Sequence, residues 1–301
     1  NLTTVKFSSK DYSINVEEGY ARIAIQDGGS TTDEGYPELP VETTFFEMDP
    51  GKSYRLEYEI LSSYFVENVE IFPFQGEERF NLDKSFKRQN SFYNSTDSYP
   101  FENIYLSNSM IMRDIEVAQI TFIPFKFYPA EKILEVYEEV NISVIEDGTR
   151  IQDISIPEKK SRLFEQFYSD LVVNYETSSD RQDYQPSSIL YICGGSSLDH
   201  PFMIDLIEWR RKQGYVVYAV STSETGTNTS SVSTYIRNAY QNWDVPPEIV
   251  GLVGDVGGSY NISTYNIEGG AGDNEYAYLT GNDFLPEVFI GRISVNGSSD
   301  I

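Results

Sequence analysis

The segment ILYICGGSSLDHPFMIDLIEWRRKQGYVVYAV, residues 189–220, decides the fold class of this chain. Ile189–Cys193 is an apolar run of strand length. Gly194 and Gly195 turn the chain, and His200–Gln213 follows with Phe202, Ile204, Leu206, Ile207 and Trp209 spaced as on an amphipathic helix. Gly214 stops that helix, and Tyr215–Val220 predicts a second strand. The alternation continues. Ser230–Trp243 predicts a helix with Val232, Ile236, Ala239 and Tyr240 facing inward, ended by Pro246 and Pro247. Ile249–Val253 and Val288–Ile293 predict a third and a fourth strand. A β-α-β-α-β order implies a mainly parallel sheet with helices on its faces.

Working outward, the first part of the chain has another texture. Ala21–Ile25, Ser53–Leu61, Val69–Phe72, Glu116–Phe127 and Ile133–Ile145 are rich in Val, Ile, Tyr and Phe, and turn residues separate them. Several alternate, as in Val136, Val140, Ile142 and Val144. Short strands with regular turns predict a β-sandwich, of jelly-roll type. A polar excursion, Glu77–Tyr99, carries Lys84, Lys87 and Arg88. Residues 157–173 predict a helix starting at Pro157, with Leu163, Phe164, Phe167 and Leu171 on one face. The expected organisation is thus α+β and multidomain: a β-rich domain with a C-terminal helix over 1–173, a polar linker over 174–187, and an α/β domain over 188–301.

Composition removes several classes of function. The chain has 301 residues, 40% hydrophobic and 14% aromatic, which excludes global disorder. A net charge of −25 argues against nucleic acid as a partner, because phosphate binding needs a basic face. One cysteine, Cys193, excludes an internal disulfide, and one histidine, His200, excludes every two-histidine metal site. No apolar run reaches the length of a membrane span. The chain begins at Asn1 without a Met and without a charged-then-apolar leader, which points to a trimmed N-terminus.

Few residues are placed for chemistry. Cys193 ends an apolar strand, and His200 lies seven residues on; a nucleophile–base pair at the carboxyl end of a strand is one reading. A core thiol and a helix-terminal histidine are the plainer reading, and the one favoured. Gly254-Asp255-Val256-Gly257-Gly258 follows a strand but fits no phosphate loop or nucleophile elbow, so a cap or turn role is expected for Asp255. The loop 268–283 gathers Glu268, Asp273, Asn274, Glu275, Asn282 and Asp283 among glycines. Such oxygen donors suit Ca²⁺, with Asp273 and Asp283 as the candidate ligands, although the spacing is not that of an EF-hand and a solvated acidic loop is the competing reading.

Three stretches, IVGLVGDVGGSY (249–260), EYAYLTGND (275–283) and PEVFIGRISV (286–295), resemble the first half of the gingipain-type cysteine peptidase domain of peptidase family C25. WRRKQGYVVYAVSTSETG (209–226) resembles it too. GYPELPV (35–41) and IEVAQITFIPFKFYPAEKILEVYEEVNISVI (115–145) are similar to the β-rich propeptide that precedes such peptidases. The resemblance implies a caspase-like α/β domain, present here in its N-terminal half, behind an inhibitory prodomain that packs on it. It also implies a secreted or cell-surface bacterial cysteine endopeptidase acting on protein and peptide substrates. In the family a His-Gly and an Ala-Cys supply the catalytic pair; no residue of this chain matches either, so Cys193 and His200 recede as catalytic candidates. Basic-residue processing of the linker is implied, most simply after Arg181, its one basic residue. The Lys84, Lys87 and Arg88 cluster is the rival cut or the inhibitory segment. The alternatives are a non-catalytic surface, adhesion or calcium-binding module, and a degenerate peptidase homologue.

Overall fold

The computed structural model describes residues 2–8, 12–26, 28–76, 85–151, 156–267 and 269–300. Lys84 and Glu268, both singled out above, lie outside the described residues. The chain forms two compact units: Asn1–Asn108 with Ala118–Arg150, and Ser109–Val117 with Ile151–Ile301. The predicted helix 157–173 and the polar stretch 174–187 fall in the second unit, together with a short segment from the middle of the β-rich half.

In chain order the strands of the first half are β1 (Leu2–Ser8), β2 (Tyr12–Glu17), β3 (Tyr20–Ile25), β4 (Gly29–Ser30), β5 (Pro40–Glu47) and β6 (Lys52–Glu67). They continue with β7 (Ile104–Leu106), β8 (Met110–Met112), β9 (Ile115–Phe122), β10 (Phe125–Tyr128) and β11 (Ile133–Thr149). The pairs β1–β11, β10–β11, β6–β11, β2–β3, β4–β5, β7–β9 and β8–β9 are antiparallel. In the first unit β11 is the spine of one sheet, pairing with β1, β10 and β6, and the other sheet runs β4-β5-β9-β7. Phe46, Ile104, Ala118, Ile120 and Phe122 from the second sheet share one core with Val140, Ile142 and Val144 of β11, so the two sheets bury each other's apolar faces. The alternating residues read from the sequence are the ones buried. The single strand expected over Glu116–Phe127 is two. Pro124 cannot donate to a ladder, so β9 ends at Phe122 and β10 joins the other sheet. Val69–Phe72 forms no strand; only Ile71 bridges, to Ala21.

The second unit is built on β12 (Ser188–Cys193), β13 (Val216–Ser221), β14 (Ile249–Val253) and, after a short hairpin of β15 (Tyr265–Ile267) and β16 (Gly270–Gly272), β17 (Phe289–Ile293). Four of these strands form a parallel sheet in the order β13-β12-β14-β17. Side-chain alternation divides β12 between two cores. Leu190 and Ile192 pack with Val232, Ile236, Ala239 and Tyr240, and Ile189, Tyr191 and Cys193 pack with Met203 and Ile207. Helices therefore cover both faces, as a fully buried parallel sheet requires.

Five helices are described: α1 (Asn90–Tyr93), α2 (Arg162–Leu171), α3 (Pro201–Lys212), α4 (Thr222–Thr225) and α5 (Thr229–Asn242). The Asn228 side chain caps α5 at the Ser231 amide, and the inward face of α5 is the one its spacing predicts. Two other faces are corrected. In α3 the buried residues are Met203 and Ile207, while Phe202 and Trp209 are each 51% exposed. In α2, Phe164 and Tyr168 are buried, and Leu163, Phe167 and Leu171 are on the outer side. Helix α2 starts at Arg162 rather than Pro157, because Ser161 caps it by accepting from the Phe164 amide at 3.3 Å.

Candidate functional site

The carboxyl ends of β12 and β14 form the edge where open α/β sheets usually bind ligands. Cys193 lies there but is buried against α3, and burial pushes its thiol up to about 12. A thiol so placed is not a ready thiolate. His200 caps α3, its Nδ1 accepting from the Phe202 amide at 3.3 Å. Each residue is thus committed to local structure. The glycine turns at this edge serve close packing: a Cβ on Gly194 would meet the Tyr260 carbonyl oxygen at 2.3 Å, and one on Gly254 would meet it at 2.1 Å. Asp255 accepts from Ser294 Oγ at 2.8 Å and from the Val256 amide at 2.7 Å, and the Ser294 bond, first, holds its carboxyl below the usual range.

The acidic loop is partnered within the protein. Asp273 accepts two bonds from the Arg292 guanidinium, at 2.7 and 2.8 Å, and one from Thr264 Oγ1 at 3.0 Å. Asp283 accepts from the Ile111 amide at 2.9 Å with one oxygen and from the Leu285 amide at 2.9 Å with the other. No group of three or more His, Cys, Asp and Glu side chains suited to a metal occurs among the described residues. Both candidate calcium ligands, Asp273 and Asp283, are thus already engaged by donors of the protein.

Arg181 is exposed on a 3₁₀ turn, Arg181–Asp183, which Asp180 caps at the Gln182 amide at 2.9 Å. The stretch around it is stitched to the body. Lys160 and Asp183 share a backbone bond of 2.8 Å, Gln185 and Lys160 one of 3.0 Å, and the buried Tyr184 hydroxyl donates to Glu165. The Arg162 guanidinium lies 4.1 Å from the Tyr184 ring centroid. Of the rival cluster, Arg88 is paired with Glu70 at 2.6 Å and Lys87 with Glu34 at 2.7 Å.

A buried polar cluster that sequence reading missed sits at the opposite, amino-terminal edge of the sheet. Arg113 is fully buried and donates to the carbonyls of Pro247 at 2.9 Å, Glu287 at 2.7 Å and Pro246 at 3.3 Å. Its own carbonyl accepts from Tyr240 Oη at 2.5 Å. Asp114 accepts from the Ser161 amide at 2.8 Å and from the Tyr168 hydroxyl, which also lies 3.0 Å from the Met112 carbonyl. Ser161 Oγ donates to Glu248 at 2.5 Å, and the other Glu248 oxygen accepts from the Ser188 amide at 3.1 Å. Burial raises the carboxyls of Asp114 and Glu248, and pushes Glu287 up to about 8. The signal was present: Arg113-Asp114 interrupts an apolar run, and a Pro-Glu pair precedes both β14 and the strand that begins at Phe289.

A family model described as Propeptide_C25 matches residues 3–182, and one described as Peptidase family C25 matches residues 182–301. Gingipain R2 of Porphyromonas gingivalis is 24% identical over 297 residues, 96% of this chain and 40% of that protein. Gingipain R1 of the same organism is 25% identical over 315 aligned residues, 100% of this chain and 31% of that protein. The chain thus spans less than half the length of the curated relatives it matches. Among solved structures, the complex of P. gingivalis RgpB pro- and mature domains aligns with a TM-score of 0.48 at 22% identity, over 58% of this chain and 93% of that one. The structure describing zymogenic latency of gingipain K aligns with a TM-score of 0.43 at 16% identity, over 48% and 86%.

Proposed function

The chain belongs to the gingipain-type peptidase family C25, and from that membership we propose that it is the propeptide and the amino-terminal part of the peptidase domain of a secreted bacterial cysteine endopeptidase made as a zymogen. The observation that carries the reading is the order and junction of the two matches: propeptide over 3–182 and peptidase over 182–301, meeting at Gln182 beside the exposed Arg181. On this reading the first unit is a jelly-roll-like prodomain and the parallel sheet is the start of a caspase-like domain. Arg181 is the processing position, and peptides and proteins are the substrates of the full-length enzyme. The chemistry is thiolate attack on a peptide carbonyl with a histidine as base. Cys193 and His200 do not supply it, because one is a core thiol and the other a helix cap. The match covers 40% and 31% of the two relatives' lengths, and on this reading the catalytic pair belongs to peptidase-domain sequence outside these 301 residues.

Two measurements test the reading. The 301-residue polypeptide should show no thiol-dependent turnover of fluorogenic Arg, Lys or Asp peptides; turnover abolished by Cys193→Ala overturns the assignment of Cys193 to the core. Terminal sequencing of the mature full-length enzyme should give Gln182. A terminus at Ser85, Arg88 or Gln89 moves processing to the rival cluster, and an uncut active enzyme removes processing altogether.

A further inference from the structure

Strand β6 is the outermost strand of its sheet. Among the described residues β11 is its only strand partner, over the whole of Lys52–Glu67, and its other edge faces no strand. From Tyr54 to Glu67 the offset against β11 is the same on both sides of an irregularity at Leu61 and Glu138, so even-numbered residues share one face and odd-numbered residues the other. Tyr54, Leu56 and Val66 pack into the cores from the even face. Between them the strand runs past the cores. Tyr58, Ile60 and Tyr64 on the even face, and Leu61 and Phe65 on the odd face, are exposed, Phe65 to 61%. The stretch Ile60–Val66 carries neither charge nor proline, and the one lysine of β6, Lys52, stands at its end. The devices that usually blunt a free edge are thus missing where the edge is most apolar.

We propose that this edge pairs with the same edge of a second copy of the chain, antiparallel about a two-fold axis at Leu61, joining two sheets into one. The charge pattern of β6 selects the register. Opposite residues of an antiparallel pair share a face, so an axis normal to the sheet must pass through a residue. An axis at Glu57 or Glu59 sets that glutamate against itself, and one at Tyr58 sets Glu57 against Glu59. An axis at Ser62 or Ser63 sets Glu57 or Glu59 against Glu67. Like charges directly opposite are destabilising. Axes nearer the start leave Leu61, Tyr64 and Phe65 unpaired, and axes nearer the end leave Tyr58 and Ile60 unpaired. Ile60 and Leu61 remain. An axis at Ile60 sets Arg55 against Phe65 and Glu67 against Ser53, with no ion pair across it. An axis at Leu61 sets Arg55 of each copy against Glu67 of the other, twice by symmetry, with Tyr58 against Tyr64 and Leu56 against Val66. Arg55 already lies 2.5 Å from Glu57 on the surface, and Glu67 has no cation partner among the described residues. The second copy supplies one. Each chain carries a net charge of −25, but at physiological salt that repulsion is screened beyond about 8 Å, whereas the strand pairing acts at contact. The pairing does not depend on the family assignment.

The test is sedimentation velocity of the 301-residue chain over a dilution series at physiological salt, where a monomer–dimer equilibrium is expected. Arg55→Glu should weaken the dimer roughly 30-fold, because two attractive cross-strand pairs become repulsive. Glu67→Arg should do the same, and the two substitutions together should restore the parent affinity. Leu61→Cys should give a disulfide-linked dimer on mild oxidation, since the Cα atoms that face each other across the axis lie within disulfide reach. Cys193 is fully buried and does not compete. Ile60→Cys should link far more slowly. The Leu61→Cys link should form in the full-length zymogen as well. A chain that stays monomeric throughout the series, or a charge swap that fails to restore association, overturns the pairing. Preferential linking through Ile60→Cys overturns the register. A full-length protein that stays monomeric while the 301-residue chain pairs gives the edge to another part of its own chain and overturns the second copy as its occupant.

Discussion

Replacing Glu287 by Gln should change how the stability of the α/β unit depends on pH. Glu287 is fully buried; its Oε2 accepts from the Leu279 amide at 2.5 Å and the Thr280 amide at 3.3 Å, and its Oε1 is buried with no hydrogen-bond partner among the described residues. Burial, first, pushes the carboxyl from 4.5 up to about 8. The folded state therefore holds this proton over a pH range in which the unfolded chain has lost it. Stability is unaffected below the unfolded value, falls as pH rises from 4.5 to about 8, and is flat beyond. At about 1.4 kcal/mol per unit, the whole window amounts to an upper bound of roughly 5 kcal/mol. Gln keeps an acceptor for the two amides but buries an NH₂ in place of Oε1, a constant cost of about 1–3 kcal/mol at every pH. The two stability curves should cross near roughly pH 6, with the parent the more stable below and the variant above. Asp114 and Glu248 slope in the same direction in both proteins and drop out of the difference. Urea denaturation from pH 5 to 9 followed by tryptophan emission reads the right unit, because both tryptophans, Trp209 and Trp243, lie in it. Parallel curves, offset but without a crossing, would refute a buried neutral carboxyl at position 287.

The turn at Arg181 must open before a protease can hold it extended, so Tyr184→Ala, which removes the hydroxyl bond to Glu165 and the Arg162 stacking, should speed cleavage after Arg181 roughly tenfold. A trypsin time course measures this, and an unchanged rate means the turn does not limit access. A calcium ion entering loop 268–283 has to compete with Arg292 for Asp273. Calorimetric heat on adding Ca²⁺ should therefore grow in Arg292→Gln and vanish in Asp273→Ala; heat indifferent to both places the ion elsewhere.

The parallel sheet was legible because its strands are continuous apolar runs bounded by glycine and proline, as Ile249–Val253 is, ending where predicted. Helix α5 was legible because aliphatic residues dominate its buried side. Helix α2 was not. Its apolar stripe points to Leu163, Phe167 and Leu171, yet Tyr168 is the residue taken inside, since its hydroxyl finds Asp114 and the Met112 carbonyl there. The same reason hid Arg113. A charge can be buried when carbonyls converge on it, and these come from residues 246, 247 and 287, far along the chain. Local spacing carries no trace of such a meeting. Cys193 and His200 were placed at the right edge of the sheet, and their neighbours decide their roles: Met203 and Ile207 enclose the thiol, and the Phe202 amide occupies the imidazole.

The pairing of Leu2 with Ile145 sets the order of events during synthesis. Strand β1 leaves the ribosome well before the strand that receives it, β11, which is the last of the β-rich half to be made. Until then the backbone groups of β1 have no ladder, and the long β6 edge, with Tyr58, Ile60 and Phe65 exposed, is also open. Contacts so distant in sequence close slowly, because loop entropy is spent before any pairing repays it. The unit completes only after residue 145 has emerged, and a nascent chain arrested before that point presents unpaired strand to its neighbours.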